Sequence, residues 1–167
     1  MTRKPKLVVT GSARHGKDTV CQLLKDEHGF TFESSSHVAL FKVIYPVLQP
    51  KYKYKSYEKC YNDRVNHRQE WFDLIKAYNT PDLARLGREI FSNYDIYCGL
   101  RNMAELEAMI VEGLVDCIVW VDASERIATE PSTSITITKS DCDFVVSNNG
   151  SLEDLKAEVQ KLVDKLI

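Results

Sequence analysis

No apolar run in the sequence approaches the ~20 residues that a membrane-crossing helix needs. The charged start Met-Thr-Arg-Lys-Pro-Lys is followed only by Leu7-Val8-Val9, too short a run for a secretory leader, so a cytoplasmic protein is expected. The five cysteines (Cys21, Cys60, Cys98, Cys117, Cys142) are odd in number, far apart and without a C-x-x-C. Neither a disulfide framework nor a zinc site is expected from them. A charge excess is missing too: 22 Lys and Arg face 24 Asp and Glu, which excludes a globally basic nucleic-acid coat but not a local basic patch. Repeats and low-complexity tracts are absent, and 167 residues at 44% hydrophobic fit one domain with a real core.

What is present alternates short apolar runs with amphipathic stretches. Leu7–Thr10, Phe30–Glu33, Ile96–Leu100, Cys117–Val121 and Phe144–Ser147 read as strands. Helices are expected over Gly16–His28, over His37–Leu48 with Pro46 ending or bending it, and over Ser56–Tyr78 as one long element. Further helices are expected from Thr80-Pro81 (cap and first position) through Phe91, over Met103–Glu112, and from Ser151 onward with Asp154 completing a capping box. Strands alternating with helices mean a parallel sheet, whose ligands sit at the carboxyl ends of the strands.

Glycine is scarce, and two of the seven bracket the first strand–helix junction: Gly11-Ser12-Ala13-Arg14-His15-Gly16-Lys17-Asp18 fits G-x-x-x-x-G-K. Such a loop curls its N–H groups around an anion, the helix start adds partial positive charge, and the lysine reaches the β- and γ-phosphates. The position after the lysine, ordinarily a magnesium-binding Ser or Thr, is Asp18 here, followed by Thr19. Asp18, directly or through water, and Thr19 are the candidate metal ligands.

With that loop the chain resembles the phage deoxynucleoside monophosphate kinases. Gly11–Thr19 ends in the Gly-Lys-Asp-Thr of that group. Leu83-Ala-Arg85-Leu-Gly87-Arg88 resembles its Arg…Leu-Gly helix, Gly99-Leu-Arg101 its strand-end arginine, and Asp143–Leu155 its last strand and Asn-Gly turn. The resemblance implies an α/β three-layer P-loop kinase fold with a five-stranded parallel sheet, an acceptor-side helical insertion at about 37–92 and a short lid at about 123–140. It also implies ATP with Mg²⁺ on Gly11–Thr19, with Lys17 and Asp18 as catalytic residues of the loop and Arg14, Arg101 and Arg126 supplying positive charge for phosphoryl transfer. Ser35, Arg64, Arg68, Arg85 and Arg88 are the candidate acceptor-binding residues.

Both the insertion and the lid are short, and a reduced enclosure suggests a bulky or polymeric acceptor. Lys51–Arg68 holds six Lys/Arg against two acids, interleaved with Tyr52, Tyr54, Tyr57 and Tyr61. That pattern suits a nucleic-acid strand, or else a solvated helix face with its tyrosines turned inward. Trp71, Phe72 and Ile75 read as core. The same profile, with Val119-Trp-Val-Asp122-Ala-Ser, resembles the phage 5-hydroxymethyluracil DNA kinases, which phosphorylate a base hydroxymethyl group in DNA. A neutral alcohol acceptor benefits from a general base, for which Glu33, Asp63 and Asp122 are candidates. The leading expectation is therefore a kinase of hydroxymethylated DNA bases. The alternatives are a kinase of free deoxynucleoside monophosphates and a nucleotide-sensing regulator. A switch GTPase is disfavoured by the lack of Asn-Lys-x-Asp.

Overall fold

A computed structural model describes residues 3–167. Five strands, β1 (Leu7–Thr10), β2 (Phe32–Ser34), β3 (Ile96–Cys98), β4 (Cys117–Asp122) and β5 (Phe144–Ser147), form one sheet in the order β2-β3-β1-β4-β5. All neighbours are parallel, with Val9 of β1 opposite both Cys98 and Val119. The five-stranded parallel α/β sheet expected from the resemblance is what the chain forms.

Period-two alternation divides the core between the two faces of this sheet. Leu7, Val9, Ile96, Cys98 and Val119 pack against Val20, Cys21 and Leu24 of α1 (Lys17–His28) and Leu155, Val159 and Leu162 of α8 (Leu152–Leu166). Val8, Tyr97, Ile118 and Trp120 face the other way, onto Ile90 of α6 (Arg85–Asn93) and Leu106 and Met109 of α7 (Met103–Val111). Gly87 sits where α6 meets α7; a Cβ there would run into the Met109 sulfur.

Between β2 and β3 lies the insertion, with a third apolar cluster of its own: Leu40, Val43, Ile44, Leu48, Cys60 and Trp71. It departs from the expected elements in three places. Pro46 does not end its helix. α2 (Ser35–Ala39) runs through a π-turn (Leu40–Ile44) into α3 (Tyr45–Tyr52), and the wider turn accommodates a residue with no N–H to give. The expected long helix 56–78 breaks into α4 (Tyr57–Asn62), a 3₁₀ turn (Asp63–Asn66) and α5 (Arg68–Tyr78), because His67 leaves the helical region at φ −134. Thr80-Pro81 is a cis peptide rather than a helix start, and α6 begins only at Arg85. Its start is held instead by Asn79, whose side-chain oxygen accepts from Leu86 N–H at 3.0 Å. At the other end of the chain, Ser151 and Asp154 form the expected capping box of α8.

Candidate active site

Because β1, β3 and β4 lie side by side, the segments leaving their carboxyl ends converge. The loop after β1 turns through Gly11 (φ +142), Arg14 (φ +64) and Gly16 (φ +99) into α1. A Cβ on Gly11 would come within 2.5 Å of the Val121 carbonyl oxygen, so only glycine lets the loop pass this close to β4. Three side chains secure the loop. His15 is buried, accepts from Ala123 N–H through Nδ1 at 2.9 Å and lies 3.2 Å through Nε2 from the Ala128 carbonyl. The imidazole bridges the loop to the segment that follows β4. Asn148, in the turn after β5, donates to the His15 carbonyl at 3.0 Å. Lys17 lies folded against its own loop, donating to the carbonyls of Gly11 at 2.7 Å and Ser12 at 3.1 Å. Burial, then the nearby Arg101 guanidinium, lower its pKa, and an arriving phosphate would reverse the second effect.

Arg101 follows β3 and is ion-paired with Glu130 of the connection between β4 and β5. The other oxygen of that carboxylate accepts from Ala13 N–H in the loop, and Glu130 N–H donates to Ser12 Oγ at 3.1 Å. An acidic side chain therefore sits against the loop, on the Ala13 N–H. Asp18 and Thr19 are exposed on the first turn of α1, and Asp18 accepts from the Cys98 thiol at 3.4 Å. Among the described residues no trio of His, Cys, Asp or Glu could hold a metal unaided. The first turn of α1 fits a Mg²⁺ that takes most of its oxygens from bound phosphates.

Arg101 also lines a cleft of about 490 Å³ between β3, α5, α7 and the connection from β4 to β5. Its walls are largely apolar (Phe72, Ile75, Leu86, Tyr97, Leu100), with Ser35, Ser36, Lys76, Asn79 and Glu105 as polar points. Burial raises the Glu105 pKa, partly offset by the Asn79 amide, which donates to it at 3.1 Å.

The remaining expected residues are dispersed. Ser35 lines the cleft, but Arg64, Arg68, Arg85 and Arg88 do not. Arg64 stacks on Tyr61 and donates to its carbonyl, and Arg85 stacks on Tyr78. Arg88 is paired with Glu112 and Asp82, which raise its pKa. Arg68 is exposed at the start of α5. Arg126 donates to the Asn148 carbonyl at 2.8 Å, on the β5 side of the loop, whereas Arg101 stands on the β3 side; Arg14 is exposed at the loop crest. Among the candidate bases, Glu33 accepts from Ser34 N–H and borders a separate shallow groove with Phe41 and Lys42. Asp63 is held by hydrogen bonds from Tyr54 and Asn66 and by His67, which keep its pKa low. Asp122 is partly desolvated, yet hydrogen bonds from Ser124 and Lys139 keep its pKa below the usual carboxylate value. The tyrosines of 51–68 are largely committed too: Tyr52 to Glu70, Tyr54 to Asp63, Tyr61 to Ser36 and the His37 ring. Trp71 is buried as expected, but Phe72 is 61% exposed on the cleft rim. The sequence reading missed Glu105, Asn79 and Glu130. Only Glu105, one helical turn beyond Arg101 on the same strand-end segment, carried a signal that could have found it.

No protein-family model matches this sequence, and no curated protein matches it. Solved structures do. TT1252 from Thermus thermophilus aligns over 99% of this chain and 100% of its own, at 18% identity and TM-score 0.53. A gluconokinase from Sinorhizobium meliloti 1021 aligns over 98% and 97%, at 14% identity and TM-score 0.51. The chain has a P-loop kinase fold. At such identities the P-loop kinase likeness speaks to architecture, and chemistry has to be argued from the site. No helix among the described residues is long and apolar enough to cross a membrane.

Proposed function

We propose that this protein is an ATP-dependent phosphotransferase that passes the terminal phosphoryl group to a neutral hydroxyl held in the Arg101 cleft. The favoured acceptor is the hydroxymethyl group of 5-hydroxymethyluracil in DNA. The observation that carries the reading is the position of Arg101, which reaches the anion cradle through Glu130 and lines the cleft with its own side chain. One guanidinium thus stands between donor and acceptor, where charge develops during transfer.

The cleft's chemistry favours a neutral acceptor. Its cations are Lys76 and Arg101, while the four arginines suited to a free nucleotide's phosphate are elsewhere. Its size falls within the ~300–1,000 Å³ of small-molecule sites. The apolar walls and exposed Phe72 suit the face of a base swung out of its stack, and Glu105 can accept from a base N–H or a hydroxyl. Mg²⁺, when bound with the nucleotide, supplies positive charge to the phosphates. Lys17 and the loop N–H groups would orient those phosphates, and Asp18 and Thr19 would hold the metal, directly or through water.

The test is γ-labelled ATP offered to two acceptors in parallel: DNA containing 5-hydroxymethyluracil, with thymine DNA as control, and a mixture of free deoxynucleoside monophosphates. Label is expected in the modified DNA alone. Label in free diphosphates would reassign the acceptor. Nucleotide binding without transfer to either would point to a regulator.

A further inference from the structure

We infer that Glu130 is an internal occupant of the terminal-phosphate position, which a nucleoside triphosphate must displace and a diphosphate need not. This rests on the phosphotransferase reading and adds a residue that sets nucleotide specificity.

Both oxygens of the Glu130 carboxylate take donors of the kind a phosphate uses, a loop N–H at Ala13 and the guanidinium of Arg101. The side chain is only 15% exposed, and the backbone is tied to Ser12 Oγ, so the carboxylate is seated rather than passing through. Its place along the loop decides which phosphate it imitates. The His15–Gly16 limb leads into the start of α1 and is fastened to the β5 side by Asn148. The Ala13 limb faces Arg101 and, beyond it, the acceptor cleft. Transfer requires the leaving phosphoryl group on the cleft side, so Glu130 stands in the place of that group. The phosphates of a diphosphate lie toward the helix start and leave Glu130 seated.

Two anions cannot share one cradle without strong repulsion. Binding a triphosphate therefore ejects the carboxylate and releases Arg101 from its ion pair, making the guanidinium available to the transferring group. Once the phosphoryl group leaves with the acceptor, the position empties and Glu130 returns beside the diphosphate.

The experiment is calorimetric titration of the whole protein with Mg-ATP and Mg-ADP, without acceptor, for wild type, Glu130→Gln and Glu130→Asp. Melting curves check that each variant is folded. Glu130→Gln is expected to bind ATP about tenfold tighter while ADP affinity changes less than about twofold. Glu130→Asp, which keeps the charge on a shorter arm, should tighten ATP less than Gln does. Unchanged or weakened ATP binding in Glu130→Gln, or equal tightening of both nucleotides, overturns the inference while leaving the phosphotransferase reading intact. Failure of wild type to bind either nucleotide overturns both.

Discussion

The side-chain amide of Asn148 holds the carbonyl of His15 at 3.0 Å, so the turn after the last strand braces the loop after the first. Asn148→Ala removes that donor and leaves a partly buried carbonyl unpaired. A loss of about 1–2 kcal/mol is expected by denaturant unfolding. ATP affinity should fall by several-fold in calorimetry, since the loop N–H groups lose their fixed direction. Unaltered affinity would show that the loop holds its shape without this brace.

Lys17→Ala should abolish phosphoryl transfer, with a kcat drop of at least about a hundredfold. The melting temperature should stay close to wild type, because Lys17 bonds only its own loop. Full activity with normal nucleotide affinity would rule out a phosphate-binding role for this loop.

The glycines offer a paired comparison. Gly11→Ala combines φ +142 with a Cβ placed 2.5 Å from the rigid Val121 carbonyl. Gly113→Ala has φ +71 but open space around the new carbon. We expect the first to cost about 3 kcal/mol or more and the second about 1 kcal/mol. Equal losses in urea unfolding would mean that β4 yields to the loop.

Glu105 gives a pH signature. Burial raises its pKa in the folded state, so between the ordinary carboxylate pKa and that raised value the folded protein binds more protons than the unfolded chain. Stability attributable to this group is present at low pH and lost as pH rises through that window. Glu105→Gln, which still accepts from Asn79, should be more stable than wild type at pH 7. The difference should vanish below the ordinary carboxylate range. Urea unfolding from pH 3 to 7 reads this, and a pH-independent difference would contradict it.

Lys53 and Lys55 are exposed on the insertion and form no ion pair among the described residues. Charge reversal of both should weaken DNA binding, and the slope of log affinity against log salt should become shallower. An unchanged slope would remove this surface from the DNA path.

Much of this architecture was legible in the residues. The G-x-x-x-x-G-K spacing marked the tight loop between β1 and α1, apolar runs marked the five strands, and Ser151 with Asp154 marked the last helix. Illegible features depended on what meets in space. Arg88 looked like a phosphate ligand until Asp82 and Glu112 were found beside it. Glu33 looked like a base at a strand end, but it lines a separate groove with Phe41 and Lys42 and is not among the residues lining the Arg101 cleft. Glu130, in a lid where charge was sought from an arginine, carried no pattern that pointed to the loop. Proline was only partly legible: Pro46, expected to end or bend its helix, follows a widened turn and does not end it, and Thr80-Pro81 is a cis bend rather than a helix start.

The insertion has an apolar centre of its own, which meets the core on the α6–α7 face of the sheet through Ile75 and Tyr78. Substitutions around Leu48, Cys60 and Trp71 therefore act first on the α5 wall of the Arg101 cleft, whereas α1 packs on a different cluster. Under the proposed function, the two halves of the reaction rest on two apolar centres: the fit of the acceptor can change at one while the Gly11–Lys17 loop stays as it is.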